Sequence, residues 1–363
     1  MKDNSIKSNI IEWLRFFCIV EVVLIHSKFS PLVGNDVITR QYAIYDTIRI
    51  MVSEGICRVA VPIFFLISGY LFFIHLEEWR KEVWITKMKK RVKTLLLPYI
   101  LWNLISMLYS FIMIYPKQIL TGGGNSSIDI ITWLNNIGGF RAFWDADGGM
   151  PNNSPLWFLR DLIVVVLFTP VVYYYLKKTR LFGLILLYLT YFFKVWVDWS
   201  GFSVEGFFFF SLGAYFSIYR IDFTSLFKRY WIIALSISVP LLLIMTCTYG
   251  INSSIYRYSC RLFTLSGTIC TFGIVALLFQ NKLIKVHGFL SNSSFFIYAA
   301  HGPIVLPMVI FALWKVLPSS EIGLVILYFL TPILTISILL ICYYYLSRWM
   351  PKTMAILTGG RIA

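Results

Sequence analysis

Ten apolar stretches of about membrane-spanning length divide this chain, at roughly 10–29, 55–75, 95–115, 156–176, 181–197, 204–219, 231–249, 260–280, 294–314 and 322–346. Crossing a bilayer takes about 20 apolar residues of helix, and in hydrocarbon every backbone N–H and C=O must be satisfied within the chain. The pattern predicts an all-α, polytopic membrane bundle forming a single domain over residues 1–363. Composition agrees, with 58% hydrophobic and 13% charged residues, where a soluble domain carries about a quarter charged. The first stretch holds Glu12, Arg15 and Glu21 and lacks a small-residue cleavage site. It therefore predicts a retained first helix rather than a signal peptide.

A net charge of +15 raises nucleic acid as a partner, but the placement of the charge argues for topology instead. With the N-terminus inside, the inner segments hold 20 of the 32 Lys and Arg residues. That positive-inside bias predicts both termini in the cytoplasm and no nucleic-acid role. Residues 77–93, with Arg80, Lys81, Lys87, Lys89, Lys90, Arg91 and Lys93, read as a short amphipathic helix at the inner surface. On composition alone, topology and attraction to anionic lipid come first, ahead of docking a polyanionic cosubstrate such as coenzyme A. The six cysteines show no CxxC spacing, so neither a disulfide framework nor a metal site is expected. The outer interval 117–155 is rich in Gly, Asn and Asp, which favours turns, and loops of that length are functional or disordered. Its Trp133, Phe140, Phe143 and Trp144 offer flat apolar surfaces to a sugar or anchors at the interface. No internal repeat is visible, which weakens an inverted-repeat transporter.

The first span carries Arg15 and His26, eleven positions apart. On a helix that spacing turns about 1100°, leaving both within about 20° of one face and about 16 Å apart along the axis. Ionisable groups at such depth face a bundle interior or a wet cavity, and imidazole is the side chain suited to proton transfer near neutral pH. The bland alternatives are a hydrogen-bonded packing histidine and an Arg15 paired structurally with Glu12, three residues earlier. Glu21 points about 140° away from His26 and should meet a different neighbour, such as a basic residue on another helix. His75 and His287 fall near inner helix ends and read as interfacial bystanders.

In the second span Pro62 frees a backbone carbonyl and Ser68-Gly69 permits close helix approach. Arg58, at its outer end, either snorkels or binds an acceptor. Trp157 opens the fourth span, followed by Arg160-Asp161, adjacent and of opposite charge. In the ninth, Ser294, Tyr298 and His301 share a face at i, i+4 and i+7, with Gly302-Pro303 interrupting the helix beyond.

Taken in order, these blocks resemble the acyltransferase-3 family of integral membrane acyltransferases. The carrying features are Arg15-x10-His26 and Arg58-x-Ala60-Val61-Pro62-x-Phe64-Phe65-x-Ile67-Ser68-Gly69-Tyr70. To these add Leu95-Leu-Leu-Pro98-Tyr99-x-x-Trp102 behind a basic cluster, Leu156-Trp157-Phe158-Leu159, and Ser293-Ser294-Phe-Phe-Ile297-Tyr298-x-x-His301-x-Pro303-Ile304. The last block looks most like the enterobacterial common antigen O-acetyltransferase branch. The resemblance implies an O-acyltransferase of the bacterial inner membrane. It would move an acyl group, usually acetyl from cytoplasmic acetyl-CoA, to a hydroxyl of a surface glycan or lipid-linked sugar.

In that reading His26 is catalytic, either abstracting the hydroxyl proton or carrying the acyl group transiently. Arg15 is its partner, orienting His26 or stabilising developing negative charge. Arg58, Trp157, Tyr298 and His301 become acceptor-side residues, and Lys90, Arg91 and Lys93 serve the CoA phosphates. Relatives often have Arg-x-x-Arg where this chain has Lys90-Arg91-Val92-Lys93; lysine keeps the charge but loses the bidentate fork. The extracytoplasmic hydrolase-like domain fused to some relatives is not expected here. The rival readings are a transporter or flippase of unacylated glycan or small solute, and a sensor or scaffold without turnover.

Overall fold

In an apolar chain the backbone can satisfy itself only by helix or closed barrel, and helix is what forms. The structure, a computed structural model, describes residues 2–29, 42–120, 139–146 and 148–361. The helices are α1 (Lys2–His26), α2 (Ala43–Phe73), α3 (Lys81–Arg91), α4 (Leu97–Leu120), α5 (Trp157–Leu167), α6 (Thr169–Phe193) and α7 (Val204–Ile218). There follow α8 (Phe223–Thr248), α9 (Ser253–Gln280), α10 (Gly288–Ala300), α11 (Leu306–Val316), α12 (Glu321–Trp349) and α13 (Pro351–Leu357). Trp133 and the Gly-rich 121–138 stretch lie outside the described residues, as does the side chain of Phe140.

Six helical segments among the described residues are long and apolar enough to cross a membrane, and the bent pair Ser154–Leu167 with Thr169–Phe193 makes a seventh if taken as one span. The expectation was ten. α7 has only 15 residues, and α1 carries Glu12, Arg15 and Glu21 along its length. The expected continuous span 156–176 breaks by 63° at Phe168, for a local reason. Pro170 has no N–H to give the Val166 carbonyl, and the Thr169 hydroxyl donates to that carbonyl at 2.7 Å instead. A second break follows at Arg180, whose φ is +52°.

α1 is wrapped on most sides: Ile10, Leu14, Cys18, Val22 and Val23 are buried. Beside it α2 and α7 touch backbone to backbone. A Cβ on Gly69 would lie 2.0 Å from the Phe210 carbonyl oxygen, and one on Gly213 would lie 1.9 Å from that of Leu66. The expectation of close approach at Ser68-Gly69 is met, because only glycine leaves room there. The outward faces are apolar too. Ile232, Ile233, Ile237, Val239 and Leu243 of α8 are all exposed, as lipid contact requires.

Among the described residues, three widened π-turns interrupt the helices, at Ile50–Gly55, Val92–Leu96 and His301–Val305. In α2 the π-turn runs into a tight 3-10 turn, Ile56–Val59, just upstream of Pro62, whose missing N–H leaves the Arg58 carbonyl without a helical donor. Such insertions re-aim side chains and gather at functional sites. Leu95 of the second lines a cavity described next, while Glu54 of the first and His301 of the third contact residues that line another.

Candidate functional site

Two cavities meet inside the bundle. The first, about 160 Å³, is lined by Arg15 of α1, Arg91 at the end of α3 and Arg361 beyond α13. Ser68, Ser291, Asn292, Ser294 and Tyr298 add hydroxyl and amide groups. No acidic side chain lines it among the described residues, and Arg15 has no carboxylate within ion-pair distance there. Glu12 lines a different crevice; it makes no ion-pair contact with Arg15 among the described residues, but its charge still acts on that guanidinium.

The second cavity, about 260 Å³, is lined by His26, Lys28, Arg58, Trp157, Glu205 and Tyr298. Phe64, Phe158 and Tyr298 belong to both cavities and form the wall between them. The Phe64 and Phe158 rings lie 5.6 Å apart, and those of Phe158 and Tyr298 6.1 Å apart and nearly perpendicular. The wall is braced from the outer loop. Tyr298 donates its hydroxyl to the Pro155 carbonyl at 2.5 Å, Asn153 donates to the Ala299 carbonyl at 3.0 Å, and Gly302 has room for no more than hydrogen beside Pro155.

The two cations of the second cavity, Lys28 and Arg58, are paired. Glu54, re-aimed by the π-turn of α2, is buried between Lys28 and Arg58 and contacts both. It also accepts from the Tyr256 hydroxyl at 3.3 Å. Arg58 and Glu205 continue into a third space of about 360 Å³, with Trp196, Trp199, Arg257 and Arg261 on its walls. A long cleft therefore leads away from His26. Arg160 pairs with Asp161 at 2.8 Å, as their adjacency suggested, and ties the outer loop through the carbonyls of Trp144 and Gly149, both at 2.6 Å. Trp144 is committed to that loop, giving its indole N–H to the Ser200 carbonyl at 3.0 Å.

Arg15 and His26 both face the bundle interior, but they do not share one pocket; the aromatic wall divides them. Trp157 and Arg58 join His26, and Tyr298 serves both sides. His301 lines neither cavity. Fully buried, it sits with its ring 5.4 Å from that of His26. Its Nδ1 faces the Tyr298 and Ile297 carbonyls at 2.8 and 3.2 Å, so that nitrogen carries the proton. Its Nε2, a lone-pair acceptor in that tautomer, has no hydrogen-bond partner among the described residues.

Of the basic trio, only Arg91 lines the first cavity; Lys90 and Lys93 are exposed and turn away. A helix presents one residue in three or four to a given face, so three cations within four positions do not converge. α3 is nonetheless docked rather than merely resting on a surface. Trp84 donates to the Thr169 hydroxyl at 3.2 Å, and Lys87 donates to the Phe72 carbonyl. Among the described residues Glu21 meets no basic neighbour; it is buried beside Cys18, with one carboxyl oxygen unpartnered there.

Lys28, Glu54, Glu205 and Arg361 were missed by the sequence reading. Glu54 and Arg58 stand at i, i+4, a pairing that becomes visible once α2 is extended back past residue 55. Glu205 is an acid opening an apolar helix. Arg361 gave no signal at all, because it follows the last expected span. Burial pulls the Arg361 guanidinium down to about 10 from its ordinary value, and the Arg15 and Arg91 charges add to that. No cluster of three His, Cys, Asp or Glu suited to a metal occurs among the described residues.

Among the described residues the chain is a helical bundle with several candidate membrane spans, with a buried imidazole on one side of an aromatic wall and clustered guanidinium groups on the other, which makes it an integral membrane protein with a divided interior site. Residues 8–348 match the Acyl_transf_3 family, described as an acyltransferase domain, and the chain belongs to that family. It is also similar to the succinoglycan biosynthesis protein ExoH of Rhizobium meliloti (strain 1021), with 27% identity over 97% of this chain and 92% of that protein. No solved structure matches.

Proposed function

We propose that this acyltransferase moves an acyl group, acetyl as the first candidate, from cytoplasmic acyl-CoA to a hydroxyl of a surface glycan or lipid-linked sugar in the bacterial inner membrane. Both termini are taken to face the cytoplasm, which sets the Arg15 cavity on the donor side. The observation that carries the reading is the back-to-back pair of cavities sharing Phe64, Phe158 and Tyr298. One gathers three guanidinium groups with no acid among its described lining residues, which suits a polyanion; the other holds an imidazole and shares Arg58 and Glu205 with a further space of about 360 Å³. The name of the Rhizobium relative, a polysaccharide biosynthesis protein, supports a glycan acceptor.

In this reading His26 accepts the acceptor hydroxyl's proton while that oxygen bonds to the thioester carbonyl carbon. The carbon–sulfur bond then breaks, and the CoA thiol leaves with the proton. Arg15, on the donor side of the wall, holds phosphate or the polarised carbonyl rather than orienting His26. Arg58, kept charged and aimed by Glu54, meets acceptor oxygens, and Trp157 offers a face to the sugar. His301 is a positioning residue that packs against His26. The test is purified protein incubated with labelled acetyl-CoA and acceptor saccharide. Wild type should transfer label and His26→Ala should not. Normal transfer by the variant, or solute transport needing no donor, would overturn the reading.

A further inference from the structure

We propose that the segment Thr358–Arg361 is a built part of the donor cavity, and that Arg361 is a specificity-determining residue for the phosphate-bearing end of the donor. The inference rests on the donor-side reading of the Arg15 cavity.

Thr358–Arg361 is held at every residue. α13 ends in a Schellman turn: the Gly360 N–H reaches the Ala355 carbonyl at 2.7 Å, and the Gly359 N–H reaches Ile356 at 3.2 Å. Gly359 has a φ of +62° and Gly360 one of +83°, conformations that glycine adopts without penalty. A Cβ on Gly359 would lie 2.4 Å from the Thr94 carbonyl oxygen, so the turn seats directly on the π-turn that follows Arg91. Trp102 donates to the Leu357 carbonyl at 3.0 Å, and Tyr343 donates to that of Arg361 at 3.3 Å. The guanidinium then lies 4.7 Å over the Phe295 ring and gives one N–H to the Thr358 carbonyl at 3.2 Å. A segment resting casually on the bundle would not need two left-handed glycines and a backbone-to-backbone seat.

The result is a third guanidinium in a cavity that already holds Arg15 and Arg91, with no acid among its described lining residues. Three like charges in one partly desolvated space repel one another unless an anion joins them. Forked guanidinium groups match the oxygens of phosphate bidentately. A ligand carrying several phosphate charges, as coenzyme A does, meets that need; a neutral acyl chain does not.

The experiment measures binding of CoA, and separately of inorganic pyrophosphate, to purified protein in phosphatidylcholine nanodiscs. Arg361→Gln should weaken CoA binding about tenfold and raise KM for acetyl-CoA with kcat nearly unchanged. Arg361→Lys should fall between the two. Gly359→Ala keeps every charge but drives a methyl into the Thr94 carbonyl, so it should reproduce the Arg361→Gln defect. Wild-type CoA affinity in Arg361→Gln overturns the inference. If CoA fails to bind but pyrophosphate binds in an Arg361-dependent way, the anion site stands and the acyl-CoA reading falls. If neither binds, this inference falls. Loss of CoA binding on adding phosphatidylglycerol, in wild type but not in Arg361→Gln, would assign the guanidinium groups to a lipid headgroup and sink the donor assignment.

Discussion

The two cavities on either side of Phe64, Phe158 and Tyr298 both bring positive charge into an apolar bundle, but they settle that charge in opposite ways. On the His26 side, Lys28 and Arg58 close on the buried carboxylate of Glu54, so the cations are satisfied before any ligand arrives. On the Arg15 side, three guanidinium groups face one another with no acid lining the space among the described residues. The difference teaches which side is complete and which is waiting. A paired cluster positions a neutral reactant through directed hydrogen bonds, whereas an unpaired cluster is a demand for an anion. A saccharide hydroxyl and a phosphate-rich donor fit the two descriptions in that order.

The comparison breaks most sharply at His26. Replacing it with alanine should reduce acyl transfer by roughly 10²–10⁴-fold, the range for a positioned general base, while donor binding on the far side of the wall stays near wild type. Labelled acetyl transfer and CoA binding, measured on the same preparation, separate the two. If His26→Ala weakened CoA binding as much as transfer, the wall would not divide donor from acceptor.

Next in size is Glu54→Gln. Removing one member of a buried ion pair strands its partners, at about 3–5 kcal/mol when fully buried. Arg58 keeps 43% of its side-chain exposure, so the expected loss is about 2–4 kcal/mol, read from the thermal unfolding midpoint in detergent. Arg15→Gln should do the reverse: it relieves repulsion, so stability holds or rises by up to about 1 kcal/mol. CoA affinity meanwhile falls about tenfold, the worth of one charge-assisted hydrogen bond. Equal destabilisation by both substitutions would mean that Arg15 has a structural partner and that the contrast between the cavities is false.

The wall offers a test of coupling. Phe64 is half-buried and lines both cavities, so Phe64→Ala should widen the passage between them. Release of CoA thiol without acceptor should rise several-fold, because water then reaches the thioester. An unchanged rate would show that Phe64 does not gate the passage.

The membrane class, the helical bundle and the face shared by Arg15 and His26 were legible because they depend on local periodicity. Apolar runs announce helices, and an eleven-residue spacing returns to the same face of any regular helix. What stayed hidden depends on irregular backbone. Glu54 reaches Arg58 and Lys28 from a π-turn, and the 63° bend at Phe168 comes from a proline and threonine pair that hydropathy reads as continuous span. Arg361 enters by a glycine turn beyond the last apolar span, where hydropathy carries no signal. The separation of Arg15 from His26 was equally invisible, since a shared face says nothing about an aromatic wall supplied by α2, α5 and α10.

The smallest effect concerns the basic cluster and bears on what charge in a sequence can indicate. Lys90, Arg91 and Lys93 carry the same charge and sit within four positions, yet only Arg91 lines the cavity. It is held there with its guanidinium 5.9 Å from the Phe72 ring, at the point where the π-turn begins. Lys90 and Lys93 are exposed, and charges acting through water across more than about 8–10 Å are largely screened at physiological salt. Lys90→Gln and Lys93→Gln should therefore each change the KM for acetyl-CoA by less than about twofold, and should lose even that when salt is raised. Arg91→Gln should approach the defect of Arg15→Gln and keep most of it in high salt, because a partly desolvated contact is poorly screened. Were the two lysines as costly as Arg91, the donor's phosphates would lie outside the cavity along the exposed face of α3, and the guanidinium cluster would need another anion.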